Sequence, residues 1–354
     1  MNVPALPRAW VAPRQIGTGA GSARAAVFTF LCDPTQHFDG STHIELLETH
    51  LSWVFLSRNY VWKMKKPART ATVDFTTLLA RRRNCEGEVR LNRALAPEVY
   101  LGVVAITEDE DGNLHWGGSG RVHEWLVWMQ RLPRERMLDA LIRQHAVPLA
   151  GLRALASALA RFHAAASRPA TDAYLERLAA GIAQNAALLR LFANFHDAER
   201  AAGLAAFLRD FLLRERTLFV ARINAGRIVE GHGDLRPAHL CLTDPPLVID
   251  CLEFSEVLRT VDTCEDLACL EVECERLQAA WVGRFVLAAH ALESGDRPPR
   301  RLQSFHAASR ALLRARLAFA HLLDCPVDTH ARWSAEGRHY LDIAQRHAAA
   351  LRFA

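Results

Sequence analysis

The chain has 354 residues, half of them hydrophobic and 23% charged, with a formal net charge of +4. That length can carry two lobes with cores of their own. A charge this mild and scattered, with no dense basic block and no zinc-finger spacing, excludes the usual nucleic-acid-binding classes.

Residues 1–40, rich in Pro, Gly, Ala and Arg, read as an irregular lead-in. Within them GTGAGS (17–22) lacks both the G-x-G-x-x-G spacing and a G-K-[ST], so it reads as linker. The apolar run Ala25–Cys32 stops at Asp33-Pro34; it is a poor signal peptide and too short for a bilayer. Eight cysteines include no C-x-x-C pair and read as buried free thiols of a reducing compartment. A cytoplasmic protein with no membrane partner is expected.

From Leu51 the pattern becomes β-rich. LSWVFL and YVWKMK flank Ser57-Arg58-Asn59, which predicts a hairpin. The second run alternates, with Tyr60, Trp62 and Met64 on one face and Val61, Lys63 and Lys65 on the other. Lys63, Lys65 and Lys66 are the only lysines among 43 basic residues. Because an ammonium is a compact point charge and a guanidinium a planar fork, the cluster marks at least one position that needs lysine. Residues 74–95 follow, their latter part helical and ending before Pro97. YLGVVAIT and NLHWGG (113–118) form a strand pair around Asp111-Gly112, and HEWLVWMQRLP is a further strand.

After Pro133 helical spacing takes over, as in Leu152, Leu155, Leu159 and Phe162. The expected fold is α+β: a β-rich N-lobe at 41–132 and a larger helical C-lobe at 133–354. One β interruption, GHGDLRPAHLCLTDPPLVIDCLEF, gathers the chemistry. HLCL and LVID bracket the turn Thr243-Asp244-Pro245-Pro246. Symmetric pairing sets Leu242 opposite Leu247 and His239 opposite Asp250, with Asp234 just upstream. Taken singly, these residues read as a turn cap, a core histidine and a strand end. As a set they need a compensating cation, and a divalent metal completed by substrate phosphates is the natural one. Asp250 to Glu275 holds nine acidic residues and one arginine: partly a solvated helix face, partly a field that could draw a cationic substrate.

His232-Gly233-Asp234-Leu235, then Val248-Ile249-Asp250, then Asp262-Thr263-Cys264-Glu265-Asp266-Leu267-Ala268 resemble the aminoglycoside phosphotransferase and choline kinase-like family, with its two-lobed protein-kinase-like fold. The resemblance spans roughly residues 41–325. ETHLSWVF, YVWKMKKP, LNRALAPEVYLGV and ECERL look closer to a bacterial subgroup, some of whose members are fused to a P-loop ATPase domain. The resemblance implies ATP (or another nucleoside triphosphate) with Mg²⁺ or Mn²⁺, and transfer of the γ-phosphoryl group to a hydroxyl of a small molecule. It makes Asp234 the catalytic aspartate, Asp250 and His239 the metal ligands, and Lys63 the phosphate-pairing lysine. Glu88 is then that lysine's partner, with Glu86 as the fallback, and Val61 faces the adenine. Asp266 becomes the brace of the catalytic loop, and WMQRL the hinge. The sequence departs from the family in two ways: His239 stands where Asn is usual, and no glycine-rich loop precedes LSWVFL. The alternative these departures motivate is a pseudokinase-like nucleotide-binding or interaction module without transfer. A His/Asp metalloenzyme ranks below both.

Overall fold

The computed structural model describes residues 20–70, 73–324 and 326–352, and the chain divides into two compact units. The first comprises the described residues up to Val89 together with Glu98–Arg131. It opens with helix α1 (Ala20–Cys32), so the second half of the expected lead-in is ordered. Residues 17–19 of the linker stretch lie outside the described residues.

Strands β1 (Glu45–Glu48), β2 (Ser52–Leu56) and β3 (Tyr60–Lys65) precede helix α2 (Leu78–Asn92). Strands β4 (Tyr100–Glu108), β5 (Leu114–Trp116) and β6 (Arg121–Gln130) complete one antiparallel sheet in the order β1-β2-β3-β6-β4-β5. The β2–β3 hairpin pairs Leu56 with Val61 and Trp53 with Met64. The alternation of β3 holds: Trp62 and Met64 are buried with Phe55, Leu126, Val27 and Leu31. Trp62 stacks on Trp128 with ring centroids 5.5 Å apart. α1 thus closes the apolar face of the sheet, and Lys63 and Lys65 occupy the other.

The second unit holds Arg90–Pro97 and the described residues from Leu132 onward. Its helices are α3 (Leu138–Arg143), α4 (Leu149–Ala165), α5 (Tyr174–Phe192), α6 (Phe195–Arg214) and α7 (Arg216–Asn224), followed by α8 (Glu256–Arg259), α9 (Thr263–Arg276), α10 (Ala280–Ser294), α11 (Arg300–Asp324) and α12 (His330–Ala350). Four short strands interrupt them: β7 (Ile228–Glu230), β8 (Leu240–Cys241), β9 (Leu247–Val248) and β10 (Thr260–Asp262). β7 pairs with β10 and β8 with β9, each antiparallel. α9 is N-capped by Asp262, whose carboxylate accepts from Cys264 N, and two acids in its first turn favour the helix dipole.

One core of this unit is built from α5, α6, α7, α9, α11 and α12, with Phe211, Phe219 and Phe305 in mutual ring contact. A second lies under β8 and β9, where Leu235, Leu240 and Val248 meet Leu152, Leu155 and Leu267. Among the described residues all cysteines are free and all but Cys32 are buried. No described helix is long and apolar enough to cross a membrane.

Phe305 is fully buried at the root of α11. Phe305→Ala is expected to cost about 3–5 kcal/mol, read as a lower urea midpoint with an unchanged slope.

Candidate active site

Strand β7 delivers the chain into Gly231-His232-Gly233-Asp234, and a single buried carboxylate shapes that loop. Asp266, on the first turn of α9, accepts from His232 N through Oδ2 (2.8 Å) and from Gly233 N through Oδ1 (2.9 Å). Such closeness requires glycine at 231, where a Cβ would lie 2.7 Å from both Asp266 Oδ2 and Val261 Cγ2. Gly233 sits at φ +83°, a left-handed conformation that favours glycine. His232 is also consumed by the loop: its Nε2 lies 2.9 Å from Ile249 O, and its Nδ1 accepts from Asp234 N at 3.3 Å.

Behind Asp266 stands an imidazole pair. His163 Nε2 is 3.2 Å from Asp266 Oδ2, and His163 Nδ1 is 3.0 Å from His290 Nε2. Burial alone would raise the Asp266 carboxyl, but His163, His232 and the backbone amide of His232 hold it down at about 2. Burial, reinforced by the nearby His163, pushes His290 down to about 4. The signal for His163 in the sequence is a histidine beside the otherwise apolar helical stripe of Leu152, Leu155, Leu159 and Phe162.

Asp234 projects from this loop with its side chain 22% exposed, and Arg236 Nε lies 3.0 Å from its Oδ2. Burial would raise the Asp234 carboxyl; Arg236, His239 and Arg314 together hold it below the usual carboxylate range. The chain then makes a short 3-10 turn, Pro237–His239, so His239 precedes the hairpin rather than belonging to it. The hairpin register differs by one residue from the symmetric expectation: Cys241 pairs with Leu247 and Leu240 with Val248. The reason is that Leu242 N bonds to Arg136 O and leaves the ladder. His239 O instead accepts from Ile249 N at 3.0 Å.

The imidazole and the carboxylate meet nonetheless. Asp250 adopts φ +64°, its Oδ2 lies 3.4 Å from His239 Nε2, and its side chain is 39% exposed. Asn92 Oδ1 accepts from the next amide, Cys251 N, at 2.9 Å, within the same unit. The His239 lone pair is nevertheless engaged, because Arg236 Nη2 donates to Nε2 at 2.7 Å while Nδ1 donates to Asp234 O at 3.0 Å. Burial first, and Arg236 second, push His239 down to about 4, so the imidazole is neutral. Among the described residues no group of three or more His, Cys, Asp or Glu side chains could hold a metal ion. The expected trio of Asp234, His239 and Asp250 is therefore gathered into one loop system without forming a protein-only cage. One or two carboxylates completed by substrate phosphates is the arrangement that suits Mg²⁺.

In the first unit, Glu88 accepts from Lys63 Nζ at 2.8 Å and also binds Lys65 Nζ. Lys63 is 13% exposed and Lys65 is 1% exposed, so of the two lysines on Glu88 it is Lys63 that reaches solvent. Lys66 instead pairs with Glu48 at 2.6 Å. Glu86 makes a surface pair with Arg82 at 2.8 Å, which leaves Glu88 as the lysine partner. Val61 is on β3, paired with Met129 of β6.

The phosphotransferase enzyme family matches residues 57–305, and the chain belongs to that family. Uncharacterized proteins of Mycobacterium tuberculosis and Mycobacterium bovis are each 33% identical over 285 residues, covering 77% of this chain and 54% of theirs. The chain thus spans about half the length of the curated relatives it matches. Among solved structures, a choline/ethanolamine kinase family protein from Mesorhizobium loti is similar with a TM-score of 0.51 at 15% identity, over 94% of this chain and all of that one. The choline kinase of Cryptosporidium parvum gives 0.54 at 9% identity, over 93% and 96%. A GDP complex of an aminoglycoside 2'-phosphotransferase IIIa variant gives 0.50 at 17%, over 91% and 97%. At these identities the likeness establishes the α+β, protein-kinase-like fold.

Two outcomes follow from the loop's construction. Gly231→Ala should cost about 1–3 kcal/mol, because the clash falls on a buried carboxylate and a core valine; thermal melting of the purified variant measures it. His290 is neutral in the fold down to about pH 4, whereas an unfolded histidine protonates near pH 6.5. The unfolded chain therefore binds the extra proton between those values, and stability falls as pH drops through that window. Between pH 7 and 5 the loss should be about 2 kcal/mol, and urea titrations of His290→Gln should show a smaller one.

Proposed function

We propose that the chain is a small-molecule kinase, moving the γ-phosphoryl group of ATP or another nucleoside triphosphate to a hydroxyl of its acceptor. The observation that carries this reading is the placement of Asp234: an ionised, partly exposed carboxylate on a loop whose two preceding amides are clamped by Asp266. Family membership supports it.

In this reading Asp234 orients the acceptor hydroxyl and takes its proton. Its lowered basicity is no obstacle, because phosphoryl transfer passes through a loose transition state that asks more for positioning than for a strong base. Lys63, steadied by Glu88, meets the nucleotide phosphates, and Val61 lies toward the base. Asp250 would hold Mg²⁺, or Mn²⁺, which when bound neutralises phosphate charge. His239 would join as a ligand only with its Nε2 released from Arg236, so Asp250 is the principal metal residue. Arg236 keeps Asp234 ionised and His239 in one tautomer.

The alternative reading, a nucleotide-binding module without transfer, draws on the Arg236–Asp234 ion pair, which occupies the base. Turnover separates the two. Asp234→Asn should lower the rate of ADP formation with acceptor about 10²–10⁴-fold while nucleotide still raises the melting temperature. Lys63→Met should lower kcat/KM for ATP about 10²-fold. Nucleotide stabilisation with no ADP formed across a broad hydroxyl panel, with either metal, would favour the module.

A further inference from the structure

The acceptor's chemical class can be read from the charges around Asp234; this step rests on the kinase reading and deepens it. On α9, Glu265, Cys269 and Glu273 are spaced four residues apart and share one face, with Cys269 Sγ 4.0 Å from Asp234 Oδ1. On α11, Arg310 and Arg314 share a face for the same reason. These two faces interlock. Arg310 Nη2 lies 3.1 Å from Glu265 Oε1 while its Nη1 donates to Gly233 O at 3.1 Å, and Arg314 Nε lies 2.7 Å from Glu273 Oε1.

Four acids of the run that could have drawn a cationic acceptor, Asp262, Glu265, Glu273 and Glu275, are taken up by ion pairs. Glu265 also accepts from Tyr174 at 3.2 Å, and Glu273 from Arg276 at 3.1 Å and Tyr340 at 2.7 Å. Glu275 is held by Arg346 and His347, and Asp262 by Arg222. Nor is the Tyr340 ring open to a quaternary ammonium, since Arg276 and Arg314 lie 6.0 and 5.6 Å from its centroid. The cationic groups that act on Asp234 are guanidiniums and imidazoles, led by Arg236. Arg236 touches it, Arg314 acts on it electrostatically, and Arg310, 9% exposed, backs the loop. The Nε of Arg310 is a buried donor with no acceptor among the described residues, which is costly unless an oxygen arrives.

We propose that the acceptor is an anionic hydroxyl compound, bearing a carboxylate or phosphate monoester met by Arg236 and Arg314, with its hydroxyl at Asp234. The hydroxyl oxygen forms a bond to the γ-phosphorus and the bond from that phosphorus to the β,γ-bridging oxygen breaks. The hydroxyl proton passes to Asp234 and the nucleoside diphosphate leaves. This is the opposite charge preference from that of a choline or an aminoglycoside.

The test compares matched probes at constant ionic strength by thermal shift, with and without a saturating non-hydrolysable ATP analogue and Mg²⁺, and in separate reactions with ATP and Mg²⁺ by ADP release. The analogue fills the nucleotide phosphate positions, so an added anion reports the acceptor side. Glycerol 3-phosphate, glucose 6-phosphate and glycerate are the anions; glycerol is the neutral control, and choline and an aminoglycoside are the cations. At least one anion should stabilise the protein and stimulate ADP release about tenfold more than glycerol or either cation. The effect should survive in Arg314→Lys and disappear in Arg314→Gln, with Arg236→Gln as a second neutralised variant. A response to the cations in place of the anions, no response to any anion, or an anion response unchanged in Arg314→Gln and Arg236→Gln overturns the proposal. Failure of the kinase reading shows separately, as no response to nucleotide alone, and the probe comparison without nucleotide remains readable.

Discussion

Asp266 binds two consecutive backbone amides and an imidazole with one carboxylate that has no access to solvent. A buried carboxylate is tolerated only when its lone pairs are satisfied, and here they are satisfied by the segment that must be held still. The requirement propagates outward. Glycine is forced at 231 by proximity and favoured at 233 by its φ angle. β10 must end at Asp262 so that α9 can begin with Asp266 in its first turn, and β7 must pair with β10 so that Gly231 arrives opposite Arg259. Asp234 is partly exposed because the residues before it have no freedom left.

Much of this was legible in the sequence because it depends on local rules. Alternation in YVWKMK assigns Trp62 and Met64 to the core and Lys63 and Lys65 to the opposite face, and the β2–β3 register follows from a short turn. Glycines around a histidine and an aspartate announce a constrained loop. What escaped depends on tertiary contacts. The β8–β9 register is set by a hydrogen bond from Leu242 to Arg136, more than a hundred residues away, and symmetry about a turn cannot see it. α1 escaped because Gly, Ala and Arg suggest a linker, and only packing against the sheet by Val27 and Leu31 selects the helix. Strand β1 is short and mostly exposed, so it left no alternation to read.

Charge is where sequence reasoning and structure diverge most. A run of nine acids and one arginine looks like a negative surface, yet Asp262, Glu265, Glu273 and Glu275 are paired with arginines of α7, α11 and α12 that no local window contains. The three lysines, conversely, look like one cluster and are three environments: one shared with Glu88 and reaching solvent, one sealed beneath the same carboxylate, one on the surface with Glu48. Arg236 had the plainest signal of the residues overlooked, a fixed charge two positions after the aspartate. Its guanidinium ties Asp234 to His239, which links the unusual histidine to the ionisation of the neighbouring carboxylate.

The roles proposed for Asp234 and Asp250 require a metal–nucleotide complex at their loop system. Crystals grown with Mn²⁺ and a non-hydrolysable ATP analogue, measured at the manganese absorption edge, test that most directly. An anomalous peak against the Asp250 carboxylate, with the nucleotide phosphates on the same ion, is the predicted result. Nucleotide bound without metal at Asp250, or manganese bound only at a site remote from Asp250 and Asp234, would contradict the account.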